Sequence, residues 1–318
     1  MSANTRDILR RIKSVNNTKK ITKAMEMVAA SKMRRAINMV LATRPYANLS
    51  WKTVLNLSQT EDGKTHPLLA KKEEEKTILL ILISSNRGLC GGYNVQVVNK
   101  AIDSIKKYNG GEKTTEIMTM GGKGASLISR NGYKIVADFV KPDLASGIFE
   151  VSDLAKMAMK GFLENKYDKI MVAYTDFVSS LKQIPRVKQL LPIDLETEDE
   201  YLGIVGKNGR VGSTKKFIKE KEEKYLKRKG YSYKYIFEPN PREVLNQMLP
   251  RLIETQLYQA LLEANASEHS ARMLSMRNAS DAAKEMIDDL TLYYNKARQA
   301  GVTSEIAEIS SGAMMAKN

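Results

Sequence analysis

Apolar positions near the start of the chain fall at Ile8, Ile12 and Val15, then at Ile21, Met25 and Val28, in steps of four and three. That spacing draws one narrow stripe along a helix, nearer a coiled-coil seam than the broad face of a helix packed on a core. A second stripe closes the chain. It runs through Leu262, Ala266, His269, Met273, Met276, Ala279, Ala283, Met286, Leu290, Tyr293, Ala297 and Ala300, again in steps of three and four. This is a heptad register, and its recurrent small residues admit a close partner helix. After Pro250 the first glycine is Gly301 and the next is Gly312. Nothing therefore interrupts a helix of roughly 60 residues, about 90 Å long. Two seams at opposite ends of one chain predict an antiparallel coiled coil, with the intervening domain at the end where Pro45 and Pro250 release the chain.

Between the seams the period changes. TILLILISS (77–85) has the length and composition of a buried strand, followed by the turn NRGLCGGYN and a helical run to Tyr108. EIMTM, GGKG and ASLISRNG repeat that plan at 116–132, and YKIVADF (133–139) reads as a further strand. VSDLAKMAMKGFLEN (151–165) is an amphipathic helix, and YDKIMVAYTDFVS (167–179) is another strand. Alternating strands and helices predict an α/β layer fold with parallel pairing. The predicted organisation is an N-terminal helix over 1–57, an α/β domain over 76–240 and a C-terminal helix over 241–318. Residues 197–230 differ in character from their surroundings. GKNGRVG suits a small hairpin and IKEKEEKYLKRK a short charged helix, so the segment reads as a surface insertion.

Charge narrows the function classes. The 318-residue chain carries a net charge of +15, with a pI near 9.6. Residues 1–44 hold eleven Lys and Arg against Asp7 and Glu26. Such a balance calls for an acidic partner: nucleic acid, anionic lipid or an acidic protein surface. The stretch KKITKAMEMVAASKMRR (19–35) lacks the bulky Trp, Phe or Leu of a membrane-surface helix, and no RNP-like or helix-turn-helix signature stands out. Composition favours a partner helix, with a basic α/β nucleic-acid-binding adaptor as the alternative. The apolar run Ile78–Ile83 is far too short to span a bilayer. The N-terminus has no apolar core of signal-peptide length, and its amphipathic pattern continues to residue 44 as a mature helix would. One cysteine, Cys90, permits no intramolecular disulfide and suits a reducing compartment.

Candidate chemistry is sparse. The glycines of RGLCGG (87–92) and GGKG (121–124) fit neither phosphate-binding spacing and read as turn glycines. Cys90 reads as a small buried residue in a tight turn. His66 and His269 are the two histidines, and no Cys/His cluster has zinc spacing. Asp288 and Asp289 point about 100° apart on a helix and suit a solvated face. No catalytic constellation emerges, and neither a cofactor nor a metal is expected.

Four blocks carry a resemblance: NTKKITKAMEMVAASKMRRA, SSNRGLCGGYN, LYQALLEANASEHSARMLSMRNAS and LTLYYNKARQAGVTSEIAEISSGA. In that order, over nearly the whole chain, they resemble the gamma subunit of rotary (F-type) ATP synthase, bacterial type. The resemblance implies a coiled-coil shaft of the two terminal helices inside a ring of three alpha and three beta subunits. It further implies a Rossmann-like α/β foot on the membrane rotor ring of c subunits, beside the epsilon subunit. Catalysis then belongs to the beta subunits. Carried over residue by residue, Met25 matches the shaft methionine near the beta subunit's acidic lever loop. Lys20, Lys23, Arg34 and Arg35 would face acidic stator surface. Arg298, Gln299, Thr303 and Glu305 match the group that meets the beta catch loop, and Arg272 matches a coupling arginine. Tyr235, Phe237 and Glu238 match the contact with the rotor ring. AEISSGAMMA would lie in an apolar bearing. The 197–230 insert is longer than in a typical bacterial gamma subunit and lacks the cysteine pair of the chloroplast form, which excludes a dithiol switch. Two readings of it stand: a contact with a stator subunit or epsilon that restrains hydrolysis, and a solvated decoration. The implied location is the cytoplasmic face of a bacterial inner membrane, peripherally held.

Overall fold

The computed structural model describes residues 3–58, 66–70, 76–108, 114–193 and 238–315. Chain order is α1 (Ala3–Ser58), β1 (Thr77–Ile83), α2 (Tyr93–Tyr108), β2 (Thr114–Met120), α3 (Gly122–Arg130) and β3 (Ile135–Phe139). A 3-10 turn (Ile148–Val151), α4 (Ser152–Leu163), β4 (Lys169–Phe177), β5 (Gln183–Leu191) and α5 (Pro241–Met315) follow. The chain divides into two units, residues 1–29 with 272–318 and residues 30–271, so α1 and α5 each contribute to both.

Within the 30–271 unit, five strands form one sheet in the order β3-β2-β1-β4-β5. The first four are parallel and β5 pairs antiparallel with β4. This is the Rossmann-like α/β layer that the alternating pattern predicts. The β1 run is continuously apolar because both its faces are covered. Leu79, Ile81 and Ile83 join the core shared with α4, the 30–58 part of α1 and the 241–271 part of α5. Ile78, Leu80 and Leu82 enter a second core against Val97, Val98, Ala101 and Ile105 of α2 and Ile128 of α3. β5 has no counterpart in the pattern reading. Pro185 interrupts its QIPRVKQLL run, and a proline argues against a central strand. At the sheet edge the missing N–H costs nothing, and Pro185 sits opposite Thr175.

The GGKG turn is built for close approach. Ser84 Oγ, at the end of β1, donates to Gly121 O at 2.8 Å and accepts from Gly124 N at 2.9 Å. Gly121 holds φ +117°, and a Cβ there would stand 2.5 Å from Ser84 O. A Cβ at 124 would stand 2.4 Å from Ser84 Oγ. Backbone proximity, not a ligand, requires these glycines. The start of α5 is set by Asn240, whose Oδ1 accepts from Glu243 N at 2.8 Å, with Pro241 at the first helical position.

The terminal helices pair antiparallel, as the two seams predict, but the residues inside the seam differ from the apolar stripe. In the 1–29 segment a three–four alternation of covered positions runs through Thr5, Ile8, Ile12, Val15, Lys19, Thr22, Glu26 and Ala29, with Met25 half-buried beside it. Ile21 and Val28 instead stand 60% and 55% exposed. In α5 the covered positions after Met276 run through Ser280, Ala283, Ile287, Leu290, Tyr294, Ala297 and Gly301, with Ala279 half-buried beside them. The apolar stripe slipped by one residue where it took two steps of three, Met273 to Met276 to Ala279. Met286 and Tyr293 consequently lie 53% and 60% exposed. Most of the missed positions are polar or small, Ile287 and Tyr294 excepted, and two of them close the seam by a hydrogen bond: Thr22 Oγ1 and Ser280 Oγ are 2.7 Å apart.

Candidate functional site

Doubly wound sheets bind ligands beyond the carboxyl ends of the strands, where strand order reverses. Here that place lies beside β1 and β4, and the chain's own helix fills it. Residues 261–270 of α5 are all buried. Tyr93 Oη donates to Ala264 O at 3.2 Å, Ser267 Oγ to Thr175 O at 3.0 Å and Ser270 Oγ to Ser180 O at 2.8 Å. Gln183 Nε2 donates to Ser270 Oγ at 3.2 Å. The RGLCGG turn supports this closure. Leu89 and Gly91 adopt φ of 64° and 57°. Cys90 is buried, 3.3 Å from the Asn94 Nδ2 that donates to it, and fills a tight turn as its neighbours suggest. Among the described residues, no group of His, Cys, Asp and Glu is placed to hold a metal.

A strap fastens both terminal helices to the sheet within this unit. It is the 140–147 loop after β3. Lys141 Nζ donates to Glu268 of α5, and the two side chains are 2% and 4% exposed. Asp143 O meets His269 Nε2 at 2.8 Å, while Asp143 Oδ2 accepts from Lys32 Nζ of α1 at 2.9 Å. The Lys32 hydrogen bond outweighs partial burial and holds the Asp143 carboxyl below its usual range. Asn86 Nδ2, from the NRGLCGG turn, donates to Lys141 O at 2.6 Å and anchors the loop. The strap residues carry no pattern signal, because their partners lie far away in sequence. His269, expected as a packing residue, is buried within this network.

The residues singled out by resemblance fall into three places. Lys20 and Lys23 of the first unit are exposed three residues apart on one helix face, and Lys23 Nζ donates to Glu26 at 2.8 Å. Met25 is half-buried beside the seam. In the same unit Arg272 is half-buried, and Arg298, Gln299, Thr303 and Glu305 are exposed. Thr303 Oγ1 donates to Gln299 O at 2.9 Å, one turn apart. Arg34 and Arg35, both exposed, belong to the other unit, as does the exposed Glu238. Tyr235, Phe237 and the 197–230 insert lie outside the described residues.

Fold and site together define a class: an α/β domain whose ligand crevice is sealed by a long helix, and whose two terminal helices pair with each other. A family model described as ATP synthase matches residues 4–315. The ATP synthase gamma chain of Herpetosiphon aurantiacus is 41% identical over 318 residues, covering 98% of each chain. That of Chloroflexus aurantiacus is 40% identical over 311 residues, covering 97% of each. The chain belongs to the ATP synthase gamma chain family. Among solved structures, a chain of the Euglena gracilis mitochondrial ATP synthase OSCP/F1/c-ring in rotational state 3 superposes with a TM-score of 0.62. It is 17% identical and covers 98% of this chain and 94% of its own. A chain of the Tetrahymena thermophila mitochondrial ATP synthase central stalk and c-ring superposes at 0.57, with 24% identity, covering 82% of this chain and 99% of its own. At these identities the likeness concerns the fold.

Proposed function

We propose that this chain is the central rotor shaft of an ATP synthase, coupling ion-driven rotation of a membrane ring to ATP synthesis or hydrolysis in an alpha/beta head. One observation carries the reading beyond family membership. The helix pair places Thr22, Ala29, Ser280 and Ala283 in its seam beside Ile8, Ile12, Val15, Ile287 and Leu290, and it leaves further large apolar residues uncovered on both helices. Ile21, Val28, Met286, Tyr293, Ile306 and Ile309 are each more than half exposed. Exposed large apolar side chains recurring along both helices suit a shaft that other subunits surround. Interleaved with them are Lys20, Lys23, Arg298 and Gln299, which would meet acidic and polar groups of a surrounding stator as it turns past. In this reading ATP chemistry belongs to the beta subunits, and this chain acts through contacts that differ at each rotary angle. Met25, Arg272, Thr303 and Glu305 complete the coupling set. Glu238, with Tyr235 and Phe237, would meet the c ring beside epsilon.

Among the described residues no helix is long and apolar enough to cross a membrane. A peripheral place in a membrane complex suits the family, and the face proposed for it is the cytoplasmic one of a bacterial plasma membrane. The nucleic-acid adaptor finds no support in the comparisons. Affinity capture of the tagged chain from its source membranes tests the reading. The expected result is a stoichiometric complex with alpha, beta, epsilon and c subunits in the membrane fraction. Capture of nucleic acid that high salt removes, without those subunits, would overturn it.

A further inference from the structure

We infer that the 140–147 loop is a torque strap. It sets the torsional stiffness with which the α/β domain grips the two terminal helices, and Lys141, Asp143 and Glu268 act as its positioning residues. The inference rests on the rotor reading.

A rotor must pass torque from its α/β domain into its helices without the helices turning inside the domain. Interdigitated apolar packing resists such turning, and hydrogen bonds at fixed positions add a directional restraint to it. Directional bonds that resist rotation about the helix axis have to come from polar groups at fixed positions. Within the 30–271 unit the strap supplies them to both helices from one short loop. Lys141 reaches Glu268 and the Asp143 carbonyl meets His269, two successive residues of α5. Successive helical residues point about 100° apart, so the two bonds oppose rotation in either sense. Asp143 then ties Lys32 of α1, and Asn86 ties the strap to the end of β1.

Burial makes the Lys141–Glu268 pair costly as a mere stabiliser. A desolvated pair of this kind is often no better for stability than well-packed apolar residues. Its directionality is what an apolar pair of the same volume would lack. In contrast, Lys32 and Asp143 are 31% and 49% exposed at the side chain, and losing that bond puts little of the fold at risk.

The test uses whole complexes assembled with the full-length chain. The catalytic head is fixed, a probe is attached to the α/β domain, and the angular variance of the probe is recorded in the stalled state, with ion pumping per ATP hydrolysed measured in vesicles. K32A is expected to raise the variance measurably with unchanged assembly. K141Q and E268Q should raise it further and lower pumping per ATP, and the charge swap Lys141→Glu with Glu268→Lys should restore both. If K141Q does not assemble, K32A carries the same readout. Unchanged variance and pumping in every assembled variant, with or without a lower melting temperature, would overturn the inference and leave the strap a folding contact. A wild-type complex whose probe never rotates would overturn the rotor reading, and the inference with it.

Discussion

Glu116 shows how much a single side chain can be tuned at the surface. Lys166 Nζ stands 2.9 Å from its Oε2, Tyr167 Oη donates to the same oxygen at 2.7 Å, and Lys134 Nζ donates to Oε1 at 3.3 Å. These bonds, led by Lys166, hold the carboxyl down at about 2. A carboxylate depressed in the folded state contributes stability above its unfolded pKa and loses it as pH falls towards the folded value. The window here runs from 4.5 down to about 2. Solvent screens the network, so its worth is about 1 kcal/mol or less. E116Q should therefore lower the melting temperature at pH 7 by about 2 °C, with the gap to wild type closing as pH falls through that window. An equal deficit at pH 7 and pH 2.5 would show that the charge contributes nothing.

At the scale of elements, the helix pair carries the most instructive difference between pattern and structure. An apolar stripe marks the bulky residues, and a seam marks the covered ones. In this pair they diverge. Ile21 and Val28 lie outside while Thr22, Glu26 and Ala29 lie inside. The 2.7 Å Thr22–Ser280 bond makes a polar seam position acceptable, since Thr22 Oγ1 donates to Lys19 O at 3.0 Å and accepts from Ser280. I21S should then shift stability by no more than about 0.5 kcal/mol, as for any exposed site. A29L, which forces a branched side chain into a position 2% exposed, should cost about 1–3 kcal/mol. Urea unfolding of the isolated chain separates the two, and the reverse order would refute the assigned seam. The β-strands were more legible: β1, β3 and β4 fall within runs that the pattern picks out and β2 overlaps its run, and β1, covered on both faces, is an unbroken apolar stretch. β5 was not, because an edge strand tolerates Pro185, Arg186 and Lys188.

For the whole molecule, the proposed coupling residues are mostly exposed, and their role would depend on other chains. Met25 is the sharpest case: half-buried beside the seam, it tolerates a longer flexible side chain without opening the core. M25K should leave melting and assembly nearly unchanged and reduce ion pumping per ATP hydrolysed in reconstituted vesicles. The reason is a new cation where the shaft passes the stator. Pumping that tracks hydrolysis as in wild type would count against the placement of Met25 in the coupling set. None of these contacts was legible from composition or period. The residue names came from the resemblance of four blocks, and the structure adds that most of these side chains are exposed.

Taken alone, the sequence determined the alternation that makes the α/β layer and the two long terminal helices that pair. It also carried the motif blocks that place the chain in its family. Those features are local: strand burial and helical period are written in runs of neighbouring residues. Only the tertiary structure decided which face of each terminal helix turns inward, because apolar residues such as Ile21 and Ile8, or Met286 and Ile287, lie on more than one face of the same helix. The same holds for the sealing of the ligand crevice by residues 261–270 and for the strap that joins Lys141 to Glu268 and Asp143 to Lys32 and His269. Each depends on hydrogen bonds between residues that are remote in the chain, and a one-dimensional pattern holds no record of such pairs.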